Sequence, residues 1–269
     1  MLKDITFGQY YETSSPVHKC DPRVKIILMI CFIVFIFVSA NAFALGFSAL
    51  AVFFVLLLSK VPLKLFLKNL KAIWMVLAFT AIINMFYADS GTVLIDFWKI
   101  EITTGGIYRA LFMSLRIVLL IFISSVLTYT TTPNNLTEAI ERLLSPLKYV
   151  GLKNAVHTFA MMMTIALRFI PTLIEEAEKI MNAQKARGAD LENGKLVERV
   201  KALIPILIPL LISSVRRAYE LAEAMECRCY NGGESKTRMK QLHLSITDLF
   251  AGVFIVAFAG IIITLNIIF

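Results

Sequence analysis

The chain reads as an all-α integral membrane protein, with about five transmembrane helices plus a cytoplasmic or interfacial domain of amphipathic helices. Three observations predict this. Of 269 residues, 58% are hydrophobic and only 17% charged, with 20 Phe and a mean hydropathy of +0.75, far from the composition of a water-soluble domain. Apolar runs able to cross a bilayer recur through residues 26–128 and return at 248–269. Between them, residues 129–247 turn to charged segments whose apolar positions recur every three or four residues, the rhythm of one-sided helices.

Taken in order, residues 1–25 are polar and mixed in charge, without the basic start, short apolar core and cleavage site of a secretory signal, and read as a cytoplasmic segment. Ile26 to Ser59 is an apolar stretch of 34 residues, roughly 51 Å as one helix against a hydrocarbon core of about 30 Å. It must fold as a hairpin, broken at Ser39-Ala40-Asn41, with Arg23, Lys25 and Lys60 snorkelling to the surface. A third span is expected from about Ala72 to Tyr87, with Trp74 and Tyr87 at the interfaces, a fourth from about Gly106 to Thr128, and a last from about Leu249 to Phe269.

Orientation follows the basic residues near the span ends. Lys19, Arg23 and Lys25 precede the first span, and Lys60, Lys64, Lys68 and Lys71 follow the second. The Ser39 to Ala42 turn is uncharged, and the loop from Asp89 to Glu101 carries Asp89, Asp96 and Glu101 against Lys99. The N-terminus and residues 129–247 are therefore expected in the cytoplasm and the C-terminus outside, in a multi-pass protein of the cell membrane. Positive-inside topology and anionic headgroups account for the net charge of +8, so membrane lipid is the expected partner of these basic residues and no nucleic acid is.

Within residues 129–247, two parts remain very apolar: Ala155 to Leu173, with His157, Arg168 and Pro171, and Ala202 to Val215, with Pro205 and Pro209. The first is long enough to span on hydropathy alone; the second is short and twice broken by proline. Both read as amphipathic helices packed under the bundle. As true spans they would instead give six or seven crossings and a self-sufficient channel or secondary carrier. One apolar stripe runs through Ile170, Leu173, Ile174, Ala177, Met181 and Gln184, and a second through Leu211, Ser214, Val215, Ala218, Ala222, Met225 and Cys229. Aligned on Arg187 and Arg228, Ile174 falls on Val215, Ala177 on Ala218 and Ala183 on Ala224, which suggests a repeated helix.

Both stripes close on an arginine between small residues, Ala186-Arg187-Gly188 and Cys227-Arg228-Cys229. For the first, an ordinary helix end explains the pattern, because glycine follows helices and arginine suits the last turn. The second weakens that explanation: Cys229 is not a helix-stopping residue, and the stop signal Asn231-Gly232-Gly233 comes later. Small flanking residues let a partner's backbone approach while the guanidinium reaches carboxylates or carbonyls in a groove. Two such arginines imply two partners or one two-fold partner.

Other chemistry is not expected. Gly188 to Lys195 looks like a phosphate loop but has five residues between its glycines, Leu196 where Ser or Thr belongs, and a helix before it instead of a strand. His18, His157 and His243 are far apart, and no ligand cluster suggests a metal. Cys20 is alone, Cys31 lies in an apolar run, and Cys227 and Cys229 point apart on a helix, which fits a reduced setting. Met161-Met162-Met163 suits a pliable packing surface, against a moving partner. Arg116, mid-way along the fourth span, is expected to bond carbonyls or hydroxyls of neighbouring helices, such as Ser114 or Ser124, with substrate coupling as the other reading. No acid, base or nucleophile cluster points to an enzyme.

Several segments together resemble the transmembrane T component of energy-coupling factor transporters, the CbiQ/EcfT family. These are Gly8-Gln9-Tyr10; Ser15-Pro16-Val17-His18-Lys19-Cys20-Asp21-Pro22-Arg23-Val24-Lys25; Ala166-Leu167-Arg168-Phe169-Ile170-Pro171; Ala183-Gln184-Lys185-Ala186-Arg187-Gly188-Ala189; and Leu221-Ala222-Glu223-Ala224-Met225-Glu226-Cys227-Arg228-Cys229-Tyr230. The family commonly has leucine at Cys20 and Ala-Arg-Gly where this chain has Cys227-Arg228-Cys229. The resemblance implies a non-enzymatic subunit of an ATP-driven importer of vitamins, micronutrients or metal ions. Residues 129–247 would form its coupling domain, and Ala186, Arg187, Gly188, Cys227, Arg228 and Cys229 would dock two ABC-type ATPase subunits. Those subunits, not this chain, would bind ATP and Mg. A substrate-binding S component would face Met161, Met162, Met163, Pro171, Pro205 and Pro209.

Overall fold

The computed structural model describes residues 10–86, 92–97, 100–146, 153–189, 196–230 and 245–268. Tyr87, Asp89, residues 190–195, Asn231-Gly232-Gly233, His243 and Phe269, all invoked above, lie outside them, as do Gly8 and Gln9. The described residues form nine helices and one small antiparallel strand pair. They divide into two units, one between Pro133 and Tyr230, the other comprising residues 10–132 and 245–268.

The larger unit begins with two proline-led helices. In α1 (Pro16–Lys19) the Ser15 hydroxyl accepts from the His18 backbone N–H, and in α2 (Pro22–Val38) the Asp21 carboxylate accepts from that of Arg23. A polar N-cap followed by proline at the first helical position is a strong start signal, since proline lacks only an N–H that would be unpaired anyway. His18 is held on both ring nitrogens, Nδ1 2.7 Å from the Ser15 hydroxyl and Nε2 2.9 Å from the Tyr11 carbonyl. The neutral ring protonated on Nε2 satisfies both. Burial, chiefly, holds the His18 imidazole below its usual 6.5. The unfolded chain then takes the proton first as pH falls, so this contribution to stability is complete above about 6.5 and is lost on acidification towards the lower folded pKa. Lowering the pH from about 7.5 to about 5.5 should therefore loosen the Tyr11–His18 segment, read as smaller amide-exchange protection factors relative to the intrinsic rate at each pH, whereas His18→Gln should lose that dependence.

This segment is tied to the last helix, α9 (Ile246–Ile268), by a buried polar cluster. Asp248 accepts from the backbone N–H groups of Asp21 and Ser245, both at 2.7 Å. Buried Lys25 donates to the carbonyls of His18 (3.2 Å) and Thr130 (3.0 Å).

The apolar run breaks where expected: α2 ends at Val38 and α3 (Ala42–Ser59) follows. A turn among apolar helices leaves backbone groups that lipid cannot satisfy. Asn266 of α9 supplies both kinds of partner, donating to the Val38 carbonyl (2.9 Å) and accepting from the Ala40 N–H (3.2 Å). Arg116 donates to the Ser39 carbonyl and lies 4.9 Å over the Phe112 ring. The expected partners Ser114 and Ser124 are not the ones it uses. The carbonyl at the end of α2 is the stronger acceptor, because the negative end of the helix dipole adds to it.

Two further expectations are corrected. The third span begins at Leu63, not near Ala72: α4 (Leu63–Phe86) takes Lys64, Lys68 and Lys71 into its first turns. Hydropathy registers their charge, but long lysine stems can lie along a helix while the ammonium reaches water. The loop read from Asp89 to Glu101 contains β1 (Val93–Phe97) and β2 (Ile100–Thr103), paired Asp96 with Glu101 and Phe97 with Ile100. α5 (Thr104–Thr130) follows, its N-cap Thr103 accepting from Gly106. Gly106 is required by packing, for a Cβ there would run into the Met85 carbonyl of α4. α5 is the centre of the unit and packs on α2, α3 and α4. Phe32, Phe66 and Phe258 share the buried core with Tyr129 of α5 itself, the Phe32–Phe258 centroids 4.7 Å apart and Tyr129 edge-on to Phe66.

The smaller unit holds α6 (Pro133–Leu143), α7 (Lys153–Ala186) and α8 (Leu196–Glu226). His157 of α7 lies 3.4 Å from Glu141 of α6. Among the described residues six helices, α3, α4, α5, α7, α8 and α9, are long and apolar enough to cross a membrane by length and composition. The 17-residue α2, at about 26 Å, is a short partner to α3. The chain is a multi-pass membrane protein.

Candidate functional site

Arg187 and Arg228 occupy the same position in the same backbone motif. At the end of α7, Gly188 N–H bonds the Lys185 carbonyl and Ala189 N–H the Gln184 carbonyl, both at 3.0 Å, with Gly188 at φ +84°. At the end of α8, Cys229 N–H bonds the Glu226 carbonyl (2.8 Å) and Tyr230 N–H the Met225 carbonyl (3.1 Å), with Cys229 at φ +56°. Each is a Schellman cap, and each arginine is the last residue before the left-handed one. The expectation that Cys229 would not stop a helix is thus corrected: it takes the conformation that glycine usually supplies. The stop is reinforced from α7, where Met161 Sδ accepts from the Tyr230 hydroxyl.

A left-handed β-carbon-bearing residue is strained by roughly 1–2 kcal/mol. Cys229→Gly should therefore raise the stability of the purified chain by about 1 kcal/mol, read in a thermal or denaturant melt. A loss of stability would contradict the cap.

Three contacts fix how α7 and α8 run: Tyr230 on Met161, Arg217 on Glu176 (2.5 Å), and Gln184 on the Pro205 carbonyl (3.3 Å). Positions late in one helix meet positions early in the other, so the pair is antiparallel. The two arginines consequently stand at opposite ends, about 36 Å apart along the helices, since Arg228 lies beside about residue 163 of α7. Glu176 stands eleven residues before Arg187, and Arg217 eleven before Arg228. Equivalent positions of the repeat thus carry opposite charges and pair with each other midway between the tips. An antiparallel pair of like helices braced at its midpoint has an approximate two-fold axis there.

At the tips, Ala186, Arg187 and Gly188, and likewise Cys227, Arg228 and Cys229, are all exposed. Neither guanidinium is engaged by a carboxylate among the described residues. All four cysteines are free thiols. Between the tips the surface is apolar: Phe159, Met162, Met163, Leu207, Leu211 and Ile212 are exposed, as are Pro171, Pro205 and Pro209, while Met161 is occupied with Tyr230. A groove of about 430 Å³ runs between the helices, lined by Ile165, Phe169 and Leu173 of α7 and by Ala218, Leu221 and Met225 of α8. Exposed apolar area on this scale marks a surface meant for protein or lipid. No group of three or more His, Cys, Asp or Glu able to hold a metal occurs among the described residues.

Sequence reasoning located both arginines and their flanks but not the Glu176–Arg217 brace. The signal was there, since the alignment that superposes Arg187 on Arg228 also superposes Glu176 on Arg217. Asp248 was also missed, because a lone carboxylate at the start of an apolar run looks like an interfacial residue.

A family model described as cobalt transport protein, CbiQ, matches residues 13–239. The energy-coupling factor transporter transmembrane protein EcfT of Ruminiclostridium cellulolyticum is 50% identical over 249 residues, 93% of this chain and 92% of its own length. The protein of the same name from Clostridium kluyveri is 49% identical over 254 residues, 93% of each chain. That from Acidaminococcus fermentans is 47% identical over 259 residues, 96% of this chain and 95% of its own. With the arginine-tipped helix pair and the multi-pass bundle, these similarities show that the chain belongs to the CbiQ family of energy-coupling factor transporter transmembrane proteins.

Proposed function

We propose that this chain is the coupling subunit of an ATP-driven importer of vitamins, micronutrients or metal ions. Arg187 and Arg228, with Ala186, Gly188, Cys227 and Cys229, dock into two ABC-type ATPase subunits, which hold the ATP and Mg; this chain is non-catalytic. The observation that carries the reading is the pair of like-capped, exposed arginines at opposite ends of an antiparallel helix pair. Such a pair offers a two-fold partner the same contact twice, and a stiff helix turns a change in the distance between the partner's grooves into rotation at the brace. The apolar surface between the tips, including Met162, Met163, Pro171, Pro205 and Pro209, faces a substrate-binding S component that moves against it.

This reading needs both tips in the cytoplasm, so α7 and α8 lie along the membrane, and α2, α3, α4, α5 and α9 are the five spans, with the N-terminus inside and the C-terminus outside. The length and apolarity of α7 and α8 favour a second reading, a self-sufficient channel or carrier in which they cross the bilayer. Antiparallel geometry separates the two cleanly. Upright helices would put Arg187 and Arg228 on opposite sides, whereas flat ones keep both inside. Labelling Cys227 and Cys229, and a cysteine introduced by Ala186→Cys, with an impermeant thiol reagent should reach all three from the cytoplasmic side only. Labelling of positions 186 and 227 from opposite sides would overturn the coupling reading.

A further inference from the structure

The transmembrane unit contains a cavity of about 380 Å³ that the coupling function does not use, within the size range of sites that hold small ligands. At one end it is walled by Phe32, Phe54, Ile123 and Phe254, and at the other by Cys20, Lys25, Thr130 and Thr247. Lys25 is the sole charged side chain among its described lining residues. From Lys25 to Phe32 is seven residues of helix, about 10 Å, so a polar end continues into an apolar shaft of alkyl-chain proportions. Phe54, Leu58 and Phe250 on its walls are 49%, 37% and 68% exposed, so the cavity opens on the face shared by α3 and α9.

Two groups at the polar end are incompletely used by the protein. The Lys25 ammonium has three N–H donors, of which two go to the His18 and Thr130 carbonyls. The Thr247 hydroxyl is buried and makes no hydrogen bond of good geometry, having only the weakly hydrogen-bonding Cys20 thiol beside it, although buried polar atoms are normally well paired. Both can serve an anionic oxygen. Asp248, close by, has each carboxylate oxygen accepting from a backbone N–H, and burial keeps the Cys20 thiol in its neutral form by pushing its pKa up.

We infer that this cavity is a binding site for an anionic phospholipid, with one acyl chain lying along the wall that Phe32, Phe54 and Phe254 form together and the phosphate at Lys25 and Thr247. The apolar shaft accepts the chain of any phospholipid. The ammonium supplies the preference, since a zwitterionic headgroup carries its own cation and is less attracted.

The test uses the purified full-length chain carrying Phe54→Trp, titrated in detergent with phosphatidylglycerol or phosphatidylcholine brominated on the acyl chains. Quenching is measured against the parent, which has Trp74 and Trp98 alone. Phosphatidylglycerol should reach half-maximal quenching of the new tryptophan at about a fivefold lower mole fraction, the factor expected from one basic side chain near an anionic headgroup. Adding Ala251→Phe, which fills the cavity, should abolish the preference without lowering the melting temperature. Leu58→Trp in the otherwise native chain fills it from the opposite wall; there the phosphatidylglycerol adduct seen by native mass spectrometry should disappear if Ala251→Phe does not fold. Equal titration by the two lipids, or a preference that survives a filled cavity, overturns the proposal.

Discussion

Replacing both Arg187 and Arg228 by Ala should abolish co-purification with the ATPase pair, and each single replacement should weaken it by about 2 kcal/mol or more, roughly thirtyfold in affinity. Arginine anchors of this kind dominate interfaces because the guanidinium makes several directed hydrogen bonds at once. Arg→Lys at either position should restore only part of the loss, because an ammonium cannot reproduce the planar fork. The fold should be indifferent to these changes, since both side chains are exposed and each Schellman cap is made by backbone groups. Melting temperatures close to the parent's would therefore accompany the loss of association. Undiminished co-purification of the double variant would remove the tips from the docking scheme.

Asp248→Ala should destabilise the purified chain by about 3–5 kcal/mol, the usual cost of removing one partner from a buried charged cluster. The carboxylate is 6% exposed and accepts two short backbone bonds, so its loss strands the N–H groups of Asp21 and Ser245. It also withdraws the negative charge beside buried Lys25, and it unties α9 from the start of α2. Asp248→Asn keeps an acceptor and should cost less. Denaturant unfolding in detergent measures both, and an alanine variant within about 0.5 kcal/mol of the parent would show that the cluster does not hold the helix.

Much of the architecture was legible in the chain because bilayer physics leaves few options. Ile26 to Ser59 had to bend because it is too long for one crossing, and it bends at Ser39-Ala40-Asn41. The start of α4 was misjudged because a hydropathy reading cannot distinguish a lysine that ends a helix from one whose stem lies along it. The Cys229 stop was missed for a related reason: residue preferences describe isolated helix ends, whereas here backbone caps and the Tyr230–Met161 contact from another helix hold cysteine left-handed. Arg116 was expected to bond carbonyls or hydroxyls of neighbouring helices, and it does bond a carbonyl of another helix end, but which one, 77 positions away in sequence, only the packing decides.

By itself the sequence determined the membrane character, the hairpin, the two amphipathic helices and the arginines that close them. These rest on composition, spacing and helical period, all local along the chain. Only the tertiary structure decided that α7 and α8 run antiparallel, and hence that the two arginines stand about 36 Å apart at opposite ends of one braced pair. Direction and distance between helices depend on which side chains meet across the interface, here Glu176 with Arg217 and Gln184 with Pro205, and no periodicity within either helix encodes that choice.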